Sequence, residues 1–141
     1  EHKAFLFDKE KKLLVIPVSL AEINRSKYRE CNESEISDYN SWNYCLTDHT
    51  YGEHVWEGAY VLNIDLDGIS LRGKVTHSEN ESAARNYWYG SKDSIIRSLY
   101  MDDVLYTVSG GKIKANNLET LEEINSVKLP YTQQYYGYMD Y

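Results

Sequence analysis

Asn63, Asp65 and Asp67 stand at alternate positions ahead of Gly68 in the stretch NIDLDG. Hard divalent cations take carboxylate and carboxamide oxygens, and D-x-[DN]-x-[DN]-G opens an EF-hand-type loop. In an extended stretch alternate residues share a face, so the three oxygens could converge on calcium. The loop's final glutamate is missing, because Lys74 stands there. The competing reading is an ordinary Asp-Gly hairpin turn. A second group, Asp48, His49, Glu53 and His54, offers carboxylate and imidazole to zinc, but its spacing matches no standard ligand pattern. Scattered polar loop residues are the alternative. His77, at the end of an apolar run, reads as a hydrogen-bonded surface histidine.

Cys31 and Cys45 lie in a polar, loop-like stretch. They read either as two free thiols of a cytosolic protein or as a disulfide of an exported one, and we expect the disulfide. Closing that loop contributes on the order of 3 kcal/mol in the chain-entropy model. Asn24-Arg-Ser26, Asn32-Glu-Ser34 and Asn80-Glu-Ser82 are N-x-S glycosylation acceptors, all in expected loops, and they point independently to export. Nucleophilic catalysis finds little support. The chain has no G-x-S-x-G, no Cys–His pair in a recognised local signature and no phosphate-cradling glycine loop. Acidic pairs are abundant, but a glycosidase needs two carboxylates at a defined separation, which sequence does not show.

These residues must be held by short strands. Ser94–Pro130 contains four: 95–100, 104–108, 112–115 and 123–129, separated by Met101-Asp102-Asp103, Ser109-Gly110-Gly111 and Asn116–Thr120. That is an antiparallel meander the size of one propeller blade. Residues 4–7 and 13–18 begin an earlier unit, and 58–64 and 69–77 finish it. The unbroken apolar run 13–18 suggests burial on both faces, with Pro17 better suited to an edge, a bulge or a strand end than to a central position. Between the halves of that unit lies a polar excursion, 19–57, carrying both cysteines. Ser19-Leu-Ala-Glu22 within it resembles a helix capping box.

The organisation expected is therefore all-β. It comprises a first four-stranded unit over 1–79 with an insertion at 19–57, a link at 80–93, a second unit at 94–130 and a tyrosine-rich tail at 131–141. The chain has 141 residues and a formal net charge of −7, which argues against a nucleic-acid binder. No apolar run is long enough to span a bilayer as a helix. Tyrosine is abundant, 14 against 2 Phe, which suits half-buried strands and wet binding surfaces. The aromatic residues we nominate for a binding surface are Trp42, Tyr44, Trp56, Trp88, Tyr135 and Tyr136. The chain opens at Glu1 with neither Met nor signal peptide, as expected of a processed form, a fragment or a segment expressed alone.

FLFDKEKKLLVIPV, EGAYVLNIDLDGISLRGKVTHS and IIRSLYMDDVLYTVSGGKIKANNLETLEEINSVKLP resemble the closing blades of prokaryotic, largely archaeal, secreted proteins with a C-terminal β-propeller domain distantly related to WD40 repeats. The resemblance implies export, a toroid of four-stranded blades and no catalysis. Two blades cannot close a ring. The partners expected are therefore other blades, from an upstream part of the same gene product or from neighbouring subunits. The function expected is an extracytoplasmic, non-enzymatic interaction module acting through aromatic-rich loops. A cell-surface hydrolase of glycans or peptides is the alternative. No cofactor is expected beyond calcium.

Overall fold

The computed structural model describes residues 2–32, 36, 44–79 and 91–130. Among them the chain forms two four-stranded antiparallel sheets, each with its strands in sequence order. The first sheet holds β1 (Leu6–Asp8), β2 (Leu13–Glu22), β3 (Glu53–Asp65) and β4 (Gly68–Val75). The second holds β5 (Ile95–Met101), β6 (Val104–Ser109), β7 (Lys112–Asn117) and β8 (Glu123–Lys128). The turns follow from short side chains that satisfy their own backbone. Asp8 accepts from the Lys11 amide at 2.8 Å, Asp65 from the Asp67 amide at 3.0 Å, and Asn117 from the amides of Glu119 and Thr120 at 2.9 Å.

Several boundaries differ from expectation. The first strand is Leu6–Asp8, while Ala4 sits in a preceding 3-10 turn, His2–Ala4, and is fully buried. Ser19–Glu22 is not a helix start. It continues β2, paired with β3 through Ser19↔Glu57, Leu20↔Trp56, Ala21↔His54 and Glu22↔Glu53. Cross-strand pairing supplies the partners that a local capping box would otherwise have used, so tertiary context overrides the short-range signal. The excursion thus narrows to residues 23–52. Pro17 pairs with Ala59 on β3, and β1 reaches only as far as Val15. Pro17 therefore lies where β2 has lost its other neighbour, and its missing N–H costs that flank nothing.

The core lies between the two sheets. Leu13, Val15, Ala59, Val61 and Val75 of the first, with Ala4 just before it, form one cluster with Ile95 and Leu105 of the second and Leu118 from its β7–β8 turn. Paired residues in a sheet share a face, so the seam face of the first sheet carries the row Leu6–Val15–Val61–Gly73. The opposite face carries Phe7–Leu14–Leu62–Leu71. Burial of 13–18 on both faces does not occur. Leu13 and Val15 are fully buried, Leu14 and Ile16 only half so, and Phe7 and Leu71 are 51% and 50% exposed. Among the described residues a neighbouring sheet covers one side of β2 only.

Gly73 lies at a close contact between the sheets. A Cβ there would lie 2.6 Å from Leu121 Cδ1, so the missing side chain lets the β7–β8 turn press onto β4.

Candidate functional site

Two regions gather chemistry-bearing side chains: the seam between the sheets and the insertion at the far end of β2 and β3. In the seam, His77 follows β4 and is only 1% exposed. It is buried, not on the surface as its place at a strand end suggests. Its Nδ1 lies 2.8 Å from Ser109 Oγ and its Nε2 2.9 Å from Thr107 Oγ1. A neutral imidazole offers one donor and one acceptor, and two hydroxyls, each able to do either, satisfy both. Burial chiefly, then the charges of Lys114 and Lys112, push the imidazole from 6.5 down to about 4, against a weaker opposing pull from Glu123. The histidine is therefore uncharged near neutrality.

Lys112, itself buried, donates from Nζ to the His77 carbonyl and to Glu79 Oε1, both at 3.2 Å. Lys112 holds the Glu79 carboxyl below the usual range, first by this hydrogen bond and then by its charge. Further along, Arg72 on β4 donates from Nε and Nη2 to Asn63 Oδ1 at 2.9 and 2.6 Å, and from Nη1 to the Leu118 carbonyl at 2.9 Å. One guanidinium thereby clamps both sheets. Glu57 on β3 accepts hydrogen bonds from the hydroxyls of Ser91 and Ser94, and Tyr100 on β5 donates to Asp8 on the first sheet. That bond raises the Tyr100 phenol and, after the Lys11 amide, helps to lower the Asp8 carboxyl.

A scan against family models matches the Beta propeller domain over residues 1–121. The chain belongs to the beta propeller domain family. No curated protein and no solved structure matches it. In this beta propeller chain the two sheets are blades, and the His77–Lys112–Arg72 groups lie along a blade–blade contact. Sequence reasoning missed this polar seam. Thr107 reads as a strand former and Ser109 as a turn residue, and the partners of His77 stand 30 and 32 residues away. A histidine at the end of one blade, followed by alternating hydroxyls in the second strand of the next, is the pattern that would have shown it.

Asn63, Asp65 and Glu53 among the metal candidates have other partners. Asn63 accepts from Arg72, and Asp65 bonds the Asp67 amide and pairs with Lys12 at 3.4 Å. The Asp67 amide and then Lys12 hold the Asp65 carboxyl low. Glu53 pairs with Lys27. Among the described residues no three His, Cys, Asp or Glu side chains gather as metal ligands, around Asp48, His49, Glu53 and His54 or elsewhere.

Cys31 and Cys45 form a disulfide with Cα atoms 5.6 Å apart. Beside it Arg29 and Cys45 make a parallel bridge, with the Arg29 amide donating to the Tyr44 carbonyl at 2.8 Å and the Leu46 amide to Arg29 at 2.9 Å. The Arg29 guanidinium lies 5.1 Å from the centre of the exposed Tyr44 ring. Trp56 is half-buried, stacked at a tilt 5.4 Å from Tyr60, with Lys74 Nζ 5.4 and 4.9 Å from the two rings. Gly58 permits this, since a Cβ there would meet the Trp56 ring at 2.8 Å. Asn24 is exposed and caps the 3-10 turn Arg25–Lys27, accepting from the Ser26 amide at 3.2 Å, and Asn32 is exposed too. Trp42, Trp88, Tyr135, Tyr136 and Asn80 lie outside the described residues. No helix among the described residues is long and apolar enough to cross a membrane.

Proposed function

We propose that this beta propeller chain is an extracytoplasmic, non-enzymatic interaction module whose blade pair holds the 23–52 insertion out as a binding surface. The observation that carries the reading is the clasp of that insertion: the Cys31–Cys45 disulfide, the Arg29↔Cys45 bridge and the guanidinium of Arg29 over Tyr44. Tyr and Arg dominate the energetics of protein interfaces, and a pre-ordered pair loses little entropy on binding. Structural disulfides persist in oxidising compartments, and exposed Asn24 and Asn32, both in N-x-S acceptors, belong to the same insertion. A hydrolase reading gains no comparable support. Asp8, Asp65, Glu79 and Glu123 are all held below the ordinary carboxylate range, whereas a proton-donating carboxyl must be held above it.

Non-reducing peptide mapping with intact mass on native material tests the location. The expected result is a Cys31–Cys45 linked peptide with glycan mass on Asn24 or Asn32. Free thiols without glycan would overturn the extracytoplasmic reading. A photo-crosslinking residue at Tyr44 tests the binding surface. Adducts to one macromolecule, lost in Arg29→Ala while the melt is unchanged, support it. Hydrolysis of a glycan or peptide that survives Arg29→Ala would replace it with an enzyme.

A further inference from the structure

The described parts of the insertion form two arms, 23–32 leaving β2 and 44–52 returning to β3. Within each arm the bonds are local. Asn24 caps its own 3-10 turn, and the Lys27 amide donates to the Asn24 carbonyl at 3.0 Å. Thr50 Oγ1 accepts from the Thr47 amide at 2.9 Å and donates to the Cys45 carbonyl at 3.4 Å. The bonds that run from arm to arm gather at one point. There stand the Cys31–Cys45 disulfide, the two backbone bonds of the Arg29↔Cys45 bridge and the Arg29 guanidinium over Tyr44.

Little apolar burial supports that point. Cys45 is the one buried residue among the described residues of the insertion, and Ile23, Tyr44 and Tyr51 are exposed. The core cluster between the sheets is built without either arm. Ordering a chain costs backbone entropy at every residue, and two backbone bonds with one exposed ring contact do not offset it over two arms. The covalent link makes up the difference by denying the open loop its freedom. A segment with so few buried contacts opens separately from a packed core. The link is also open to attack from one side, because Cys45 is sealed while Cys31 is partly exposed.

We propose that the disulfide is a redox latch: a dithiol reductant that opens it parts the two arms and dismantles the Arg29–Tyr44 surface, while both blades stay folded. The reductant's thiolate attacks Cys31 Sγ, the S–S bond breaks, and Cys45 leaves as a thiolate that takes up a proton. The reductant's second thiol then displaces Cys31. Two electrons pass, leaving two protein thiols and an oxidised reductant. The blades are indifferent because a disulfide stabilises a fold by restricting the unfolded chain. Where the reduced loop is as free in the folded blades as in the unfolded chain, the melt of the blades does not move. That the latch switches binding rests on the interaction reading of the insertion; the release of the arms does not.

Limited trypsin cleavage and thermal melting of the whole chain, before and after dithiothreitol, test it. Arg25, Lys27 and Arg29 are exposed on the first arm. Cleavage after them should be roughly tenfold faster once the disulfide is reduced, and slow again on reoxidation, with the melt of the blades unchanged. The double variant Cys31→Ser, Cys45→Ser should behave as the reduced chain does. Cleavage that reduction leaves unchanged overturns the proposal. So does a melt that falls together with the faster cleavage, or a double variant that melts without cooperativity, since the disulfide would then serve the whole fold. A photo-crosslinking residue at Tyr44 separates the two readings. Adducts that vanish on reduction support the switch, and adducts that persist on the reduced chain overturn it. Adducts absent from both forms strike the interaction reading and leave the release of the arms to stand on cleavage and melting.

Discussion

Leu13 and Leu14 are neighbours in one strand and live in different surroundings. Leu13 is sealed in the blade–blade seam with Val15, Ala59 and Val61. Leu14 lies between Phe7 and Leu62 on a face that the described residues leave partly open. Residue type does not separate the two faces, since both are apolar. What separates them is the polar furniture. The seam is lined by His77, Lys112, Arg72 and their paired acceptors, each bonded across the blades, whereas the outer face carries aliphatic and aromatic side chains with Lys74 over its rings. Apolar burial supplies the bulk of the contact, and the bonded polar groups fix which blade edge meets which.

The comparison can be broken most sharply by truncation. Leu13→Ala should cost about 2–5 kcal/mol, since it opens a cavity in a fully buried site. Leu14→Ala should cost about 1 kcal/mol or less because the site is half-open already. Urea unfolding of both variants checks this, and equal costs would erase the distinction between the faces.

Acid comes next. Unfolded, His77 titrates near 6.5; in the seam it does so at about 4. Between those values the unfolded chain takes up a proton that the folded chain refuses, so stability falls as pH falls through the window. The loss is complete below about 4 and amounts to at most about 3 kcal/mol. Melting curves from pH 7 to 4 should show it, and His77→Gln should flatten the slope. An unchanged slope in that variant would place the titrating group elsewhere.

A smaller effect is expected where the β7–β8 turn packs on β4. Gly73→Val pushes against Leu121 Cδ1, the end of a side chain that can turn aside, so the cost should be about 1–2 kcal/mol in the same unfolding assay. The smallest effect belongs to Asn63. Its carboxamide oxygen is already held by the seam's Arg72, so calcium chelation should leave the melting temperature unchanged while Arg72→Ala lowers it. A chelator-induced fall would return Asn63 to a metal site.

Much of the fold was legible because it is written locally. Asp8, Asp65 and Asn117 each announce a turn through a side chain that reaches the amide two or three residues on. Alternating apolar positions between those turns become strands. The Cys31–Cys45 pairing was readable from two cysteines in one loop-like stretch. The seam was not legible. His77 meets Thr107 and Ser109, and Arg72 meets the Leu118 carbonyl, across separations that no local pattern encodes. Ser19–Glu22 misled for the converse reason, since a helix signal was outvoted by a strand 30 or more residues away.

The β2–β3 pair outruns its neighbours. β1 stops at Val15 and β4 reaches β3 only as far as Ala59, so from Val18↔Gly58 to Glu22↔Glu53 the two strands pair with no third strand among the described residues. Whatever sequence joins their tips is separated from the blade by several rungs of backbone pairing. Doubling such a loop costs only about 0.6 kcal/mol in closure entropy. Descendants of this gene can therefore lengthen, shorten or exchange the tip without renegotiating the blade beneath it. The ribbon is a grafting stem, the place where this architecture is free to diversify.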